Sequence, residues 1–457
     1  MNRVMKRSWI MVLFILILLG GTSFFLYEYY TKASEWVLFT GSPHVYQTAG
    51  ASAGIVTDRE GTTLLDTTVK RTYSQDQTLR QAVLHWLGDR QGNINDTTSQ
   101  TYTSQMVGYD AVDGVYSYGG QTGKMTLTLS GRVQKTALEA MAGRKGTLAV
   151  YNYKTGEILC AVSTPTFDPD NVPDIAGDTT GQYEGAYLNR FLQSTYPPGS
   201  IFKIVTTAAA LETVDGILDM TFTCRGIYEF GIDKVTCETA HGTKNLKGAL
   251  ASSCNCCFAQ IAQLVGKETM TEYVEKFGLL DSIRFDGFTS AAGSYDVSDA
   301  APVELAWSCI GQYTDLINPC SYMTFMGAIA AGGKAAQPYL VERVSLGDEC
   351  TYEVQRVQNE PIMSRELAET LQEYMRNNVE QVYGAGNFPG LTVCAKSGTS
   401  ELGGGRTPNA MFSGFVLDSE YPLACIVVVE NGGYGSSTCV PILSRVLAEC
   451  KAVLDGE

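Results

Sequence analysis

Clustered lysines and arginines are missing from this chain. It carries 33 basic against 48 acidic side chains, a formal net charge of −15. Without a basic patch a nucleic-acid partner is not expected, because phosphate binding needs concentrated positive charge. Nothing at zinc spacing pairs with the trio Cys254, Cys256 and Cys257, neither a second Cys-x-x-Cys nor a His motif, so no metal is predicted. No phosphate-cradling glycine loop follows a strand and no cofactor is called for; "ELGGGRTP" after Thr399 reads as a flexible loop beside a cleft. Internal repeats and low-complexity linkers are absent as well.

What is present begins with thirteen cysteines. The count is odd, and most lie in apolar contexts such as "EILCAV" and "PLACIVVV", where Cys behaves as a small hydrophobe. These read as free core thiols. Cys224 and Cys237 differ, because they bracket the loop "CRGIYEFGIDKVTC" with turn-forming glycines between them, and they are the candidates for a local disulfide.

A single long apolar run, Trp9 to Tyr27, follows Arg3, Lys6 and Arg7. It has the length of a bilayer span, and the cations ahead of it place residues 1–8 in the cytoplasm and the remainder outside. No Ala-x-Ala cleavage site follows it, and Tyr27, Tyr29 and Tyr30 suit a membrane interface, so an uncleaved anchor over 9–27 is expected. Residues 28–140 are polar, with short alternating strands turning at Glu60-Gly61, and read as a small β-rich pedestal module. From Gly146 two apolar strands open a larger sheet. The stretch from Ser200 to about Gly333 has helical spacing, the chain then returns to strands, and it closes with a helix after Pro441. A sheet built from both ends of 141–457 around a helical insert is an α+β architecture.

Chemistry concentrates at "STYPPGSIFKIVTTAAAL". Pro197, Pro198 and Gly199 deliver Ser200 to a helix start, where unpaired N–H groups favour developing negative charge. Lys203 lies three residues on, on the same face, among Ile201, Phe202, Ile204 and Val205. Desolvation there would lower its pKa and let its neutral amine take the hydroxyl proton of Ser200. An isolated Ser-x-x-Lys would be no more than an N-capping Ser and a snorkelling Lys. This one is followed by Ser253-Cys254-Asn255 in "ALASSCNCCFAQIA" and by Lys396-Ser397-Gly398-Thr399 in "TVCAKSGTSE". The three motifs in this order are the signature of penicillin-binding proteins and the related β-lactamases. A second Lys-Thr-Gly, Lys154 to Gly156, precedes Ser200 at the polar turn of a hairpin and is taken as structural.

For acyl transfer to a D-alanyl peptide, Ser200 attacks, Lys203 is the base, and Ser253 and Asn255 relay a proton and hold the substrate amide. Lys396, Ser397 and Thr399 would meet the substrate carboxylate, with Gly398 letting a substrate backbone approach. The backbone N–H groups of Ser200 and Thr399 would form the oxyanion hole. His241, in "TAHGTK", finds no vacancy in this scheme and is read as a structural loop residue near Ser253.

Beyond the motifs, the chain resembles a class B, monofunctional penicillin-binding protein. "GIVTDREGTTL" is similar to the strand that opens that family's pedestal. "GTLAVYNYKTGEILCAVSTPTFDPD" is similar to its first catalytic hairpin, and "HGTKNLKGALASSCN", "IGQ", "AAGGK" and "VVVENGG" follow in its order. The resemblance implies a penicillin-binding transpeptidase fold and a D,D-transpeptidase that cross-links peptidoglycan stem peptides outside the membrane and is acylated by β-lactams. It also implies a membrane-embedded glycan polymerase of the shape, elongation, division or sporulation type as partner. Met411-Phe412 stands where the family usually has Trp-Phe. A serine β-lactamase would need a deacylating Glu-x-x-Leu-Asn loop, and none lies between Asn255 and Lys396. A D,D-carboxypeptidase would use the same site with water as acceptor. A non-catalytic scaffold of the wall-synthesis complex would have no need to keep every one of these side chains.

Overall fold

Five apolar segments with β-branched and aromatic residues build one antiparallel sheet. Its strand order is Val393–Ser400, Asn409–Val416, Leu423–Val429, Gly146–Asn152, Ile158–Thr164. Two strands from the start of 141–457 thus pair with three from its end, and the helical stretch is the insert between them, as the pattern predicts. The computed structural model in which this is seen describes residues 2–37, 54–94, 97–107, 109–110, 114–115 and 122–456.

Nearly every residue of the sheet is buried, because both faces are covered. On one face Leu148, Val150, Ala395, Phe412 and Val427 pack with Val446 and Leu447 of the closing helix and with Val133, Ala137 and Met141 of helix Gly131–Met141. On the other, Ala149, Tyr151, Cys394, Met411 and Val428 meet Met323, Met326 and Ile329 of helix Pro319–Ala330. The two sets alternate along each strand, the period-two pattern of a pleated sheet. Strand Ile158–Thr164 is an edge strand whose open side is occupied by side chains: the Gln134 amide accepts from Ala161 N–H at 2.8 Å, and Trp86 Nε1 donates to Ala161 O at 2.7 Å. Thr128 Oγ1 donates to Ile158 O at 2.9 Å. The edge is therefore closed to further strands.

The pedestal hairpin forms where expected, Ile55–Thr57 against Thr63–Asp66, with Asp58 Oδ1 accepting from Glu60 and Thr62 N–H across the turn. Its sheet has six strands, and two of them, Val341–Leu346 and Glu349–Glu353, come from far along the chain. The same region carries short helices at Gln77–Ala82 and Leu84–Leu87, so it mixes both kinds of element. Parts of the 28–140 stretch (38–53, 95–96, 108, 111–113 and 116–121) lie outside the described residues, as do Met1 and Glu457.

The N-terminal helix runs Asn2–Val37 and contains the 9–27 run; its stretch Val4–Lys32 is long and apolar enough to cross a membrane, and none of its most apolar window is buried. Two expectations are corrected. The final helix is Gly435–Asp455 and contains Pro441, rather than starting after it. Pro441 sits in the second turn, where it removes one hydrogen bond near the helix start and the burial of Val440, Ile442 and Leu443 compensates. Within the helical insert, residues 222–244 fold as two small ribbons, Phe222–Cys224 with Gly242–Lys244 and Ile227–Phe230 with Asp233–Thr236.

Candidate active site

The Pro-Pro-Gly bend is held from both sides before Ser200 is reached. Tyr196 and Ile317 exchange backbone hydrogen bonds at 2.9 Å, and Gly199 N–H donates to Gly311 O at 2.8 Å. Gly199 takes φ +55°, and a Cβ there would lie 2.5 Å from Thr399 O; a Cβ on Gly311 would lie 2.3 Å from Gly199 O. Both positions therefore need glycine for close backbone approach. Ser200 falls in a tight 3-10 turn, Gly199–Phe202, that widens into the α-helix Lys203–Thr213. Tyr322 Oη donates to Ile201 O at 2.8 Å and fixes that turn.

Lys203 is fully buried, and its Nζ lies 2.6 Å from Ser200 Oγ. It also reaches Asn255 Oδ1 at 2.8 Å, Ser253 O at 3.2 Å and Ser253 Oγ at 3.3 Å. Burial pushes its pKa down from 10.5 to about 7. Ser253 stands between helices Leu246–Ala251 and Asn255–Val265 with φ +51°, a backbone conformation costly for a non-glycine residue. That bend aims its hydroxyl at both lysines, since Lys396 Nζ donates to Ser253 Oγ at 3.0 Å. Lys396 is 1% exposed, and burial together with the nearby Lys203 charge holds it well below the ordinary lysine range. Asn255 Nδ2 donates to Thr236 O at 3.0 Å, which leaves Oδ1 for Lys203.

Lys396 lies mid-strand rather than at a strand end, because Val393–Ser400 runs on through the motif. It is the other edge strand of the sheet, paired among the described residues with Asn409–Val416 alone, and Ser397 and Thr399 on it line the cleft. Thr399 Oγ1 accepts from Gly435 N–H at 3.2 Å. Tyr383, which no sequence signal singled out, accepts from Ser397 N–H at 2.8 Å and meets Ser397 Oγ at 3.0 Å. Its ring stands edge-on to Phe412, 5.1 Å between centroids, and Met411 and Phe412 are both fully buried beneath the motif. The resulting cleft holds about 560 Å³, lined by Ser200, Ser253, Asn255, Tyr383, Ser397 and Thr399 among others. Lys154, Thr155 and Gly156 lie at the turn between the first two sheet strands, where Asn152 Oδ1 accepts from Lys154 and Thr155 N–H.

The expected Cys224–Cys237 bridge does not form: both thiols are free. The ribbon between them turns Cys237 Sγ toward Cys254 Sγ, 3.7 Å away, and Cys224 Sγ toward His241 Nδ1, 3.6 Å away. His241 and Cys237 line the cleft together with Ser253, so the His241 loop lies near Ser253 as its sequence position suggests.

Three separate segments thus bring a serine, two buried lysines and an edge strand together. Residues 146–448 match the family model described as the penicillin binding protein transpeptidase domain. The chain belongs to that family. Among its relatives is the peptidoglycan D,D-transpeptidase PbpA of Mycolicibacterium smegmatis, 29% identical over 339 residues, covering 68% of each chain. The D,D-transpeptidase domain of a peptidoglycan glycosyltransferase from Eggerthella lenta superposes with a TM-score of 0.74 at 25% identity, covering 88% of this chain and 99% of that one. Penicillin-binding protein A of M. tuberculosis, solved as a penicillin G acyl-enzyme complex, shares the fold with a TM-score of 0.73 at 23% identity over 88% and 100% of the two chains. With these relatives the protein groups with class B penicillin-binding proteins, and its catalytic sheet and helical insert are the family's α+β transpeptidase fold.

Proposed function

We propose that the protein is a peptidoglycan D,D-transpeptidase that works through an acyl-enzyme on Ser200 and is trapped there by β-lactams. The observation that carries this is the 2.6 Å contact between Ser200 Oγ and a buried Lys203 whose pKa has dropped to about 7. Near neutral pH a large share of Lys203 is the free amine, which accepts the Ser200 proton as Oγ attacks the carbonyl of the penultimate D-Ala. Negative charge on that carbonyl oxygen is met by the backbone N–H groups of Ser200 and Thr399. When the tetrahedral intermediate collapses, the C–N bond breaks and the departing D-Ala amine takes a proton by way of Ser253, which touches both lysines. An amine from a second stem peptide then attacks the ester and forms the cross-link, its proton returning through the same groups.

Lys396, Ser397 and Thr399 receive the terminal carboxylate. Thr399 Oγ1 accepts from Gly435, and Ser397 Oγ can accept from Tyr383, so each hydroxyl keeps its own proton free to donate to an anion. The apolar N-terminal helix supports a membrane anchor, and Arg3, Lys6 and Arg7 ahead of it support a catalytic domain on the outer face, beside a membrane-embedded glycan polymerase.

Labelling the detergent-solubilised protein with a fluorescent penicillin, beside Ser200→Ala, tests the reading. A band in the wild type that vanishes in Ser200→Ala supports it. Consumed antibiotic without a band would mean a hydrolase, and intact antibiotic without a band would mean a scaffold.

A further inference from the structure

Four side chains that the acyl-transfer scheme leaves unused meet beside the cleft, two of them, Cys237 and His241, in its lining. Cys224 ends one ribbon strand, Cys237 follows another, His241 precedes a third, and Cys254 caps the helix that begins with Asn255. Their three sulfurs and one imidazole nitrogen lie within 4.8 Å of one another.

Two of the six separations within this group are those of a coordination shell, and all six are within 4.8 Å. Tetrahedral zinc, with Zn–S near 2.3 Å and Zn–N near 2.0–2.1 Å, puts ligand atoms about 3.8 Å apart for two sulfurs and about 3.6 Å apart for sulfur and nitrogen. The observed separations are 3.7 Å for Cys237–Cys254 and 3.6 Å for Cys224–His241. A disulfide needs about 2.05 Å. Each sulfur also accepts one backbone N–H: Gly226 to Cys224 at 3.4 Å, Cys256 to Cys237 at 3.3 Å and Cys257 to Cys254 at 3.4 Å. Such donors orient thiolate ligands and favour their charged form. The neighbouring thiols each have a backbone acceptor of their own, Cys256 Sγ donating to Val235 O and Cys257 Sγ to Phe222 O.

We propose that Cys224, Cys237, His241 and Cys254 bind a structural Zn²⁺ ion. On binding, the three thiols release their protons to solvent, and neutral His241 donates through Nδ1. Four protein ligands close the shell, so the ion has no open position for a water nucleophile and its role is to hold structure. What it holds follows from Cys254, the middle residue of Ser253-Cys254-Asn255. The metal ties that turn to the 222–244 ribbons and so fixes Ser253 and Asn255 against Lys203. The expectation of no metal, drawn from spacing along the chain, is replaced here because the ribbons bring ligands from three segments to one point.

Metal analysis of the full-length protein, purified with zinc present and then desalted, tests the site without reference to activity. About one zinc per chain is expected. It should be lost in Cys224→Ser and His241→Ala and kept in Cys256→Ser, and Co²⁺ in its place should give the visible bands of tetrahedral thiolate coordination. Because a ligand variant can fail to fold, the wild type is also alkylated with and without a chelator. Chelation should expose Cys224, Cys237 and Cys254 and lower the melting temperature. Zinc-free protein that takes up no added zinc, alkylation indifferent to the chelator, or a Cys237–Cys254 disulfide on peptide mapping would each overturn the proposal.

Discussion

The pKa of Lys203 makes a prediction about both rate and stability. If its free amine is the base, the acylation rate constant follows the neutral fraction: roughly one in ten at pH 6, half at pH 7 and nine in ten at pH 8. Acylation by a β-lactam, followed by stopped flow, should therefore rise about tenfold from pH 6 to pH 8 and then level. A lysine with its usual pKa of 10.5 would instead give a rate still climbing about tenfold per pH unit through pH 9. Stability follows the same group. Its folded pKa lies below its unfolded one, so between about pH 7 and 10.5 the unfolded chain holds more protons, and stability rises with pH across that window. Lowering the pKa by this much costs about 5 kcal/mol at neutral pH and below, and nothing above the upper limit. Lys203→Met removes that cost and loses hydrogen bonds to Ser200 and Asn255 at about 1 kcal/mol each. The variant should acylate about 10²–10⁴-fold more slowly. At pH 6 its urea midpoint should exceed the wild type's, with the advantage fading by pH 10. A wild-type rate without a plateau, or a variant less stable at pH 6, would refute the reasoning.

Other consequences follow from single contacts. Tyr383→Phe keeps the ring on Phe412 and removes the partner of Ser397; the second-order acylation constant should fall about tenfold with little change in unfolding midpoint. Gln134→Ala strips the edge strand of its amide partner and should cost about 1–3 kcal/mol in urea unfolding, with acylation of the folded fraction unchanged. Asp315 is buried with one donor, Ser308 Oγ at 3.0 Å, and burial raises its pKa to about 8. The folded state keeps a proton that the unfolded chain releases above pH 4, so stability falls from pH 4 to pH 8, and Asp315→Asn should flatten that fall in thermal melts.

The residues that meet at the cleft were legible in the sequence because each motif is local. Ser200 and Lys203 share a helical face by spacing alone, and Lys396 to Thr399 read as strand beside apolar residues. What stayed hidden depends on distant parts of the chain. Tyr383 reaches Ser397 from the turn after helix Arg365–Asn378, and nothing in its own surroundings marks it. The strands Val341–Leu346 and Glu349–Glu353 join the pedestal sheet through pairing of the first with Gly123–Leu127, more than 200 residues earlier, which no local pattern encodes. The cysteine pairing failed for a related reason. Turn-forming glycines between the two cysteines suggested a closed loop, whereas the intervening residues form a ribbon that carries both thiols toward Cys254 and His241. Pro441 misled because a proline in the second turn reads as a helix start when the Gly-Ser-Ser-Thr stretch before it has low helix propensity.

The most direct measurement is peptide mapping by mass spectrometry after brief incubation of the full-length protein with penicillin G. The whole opened antibiotic should be found as an ester on Ser200, and on no other residue, with the adduct lost in Ser200→Ala and formed far more slowly in Lys203→Met. An adduct on Ser253 or another side chain, or unmodified Ser200 while the antibiotic is consumed, would contradict the assignment of Ser200 as the acylated nucleophile.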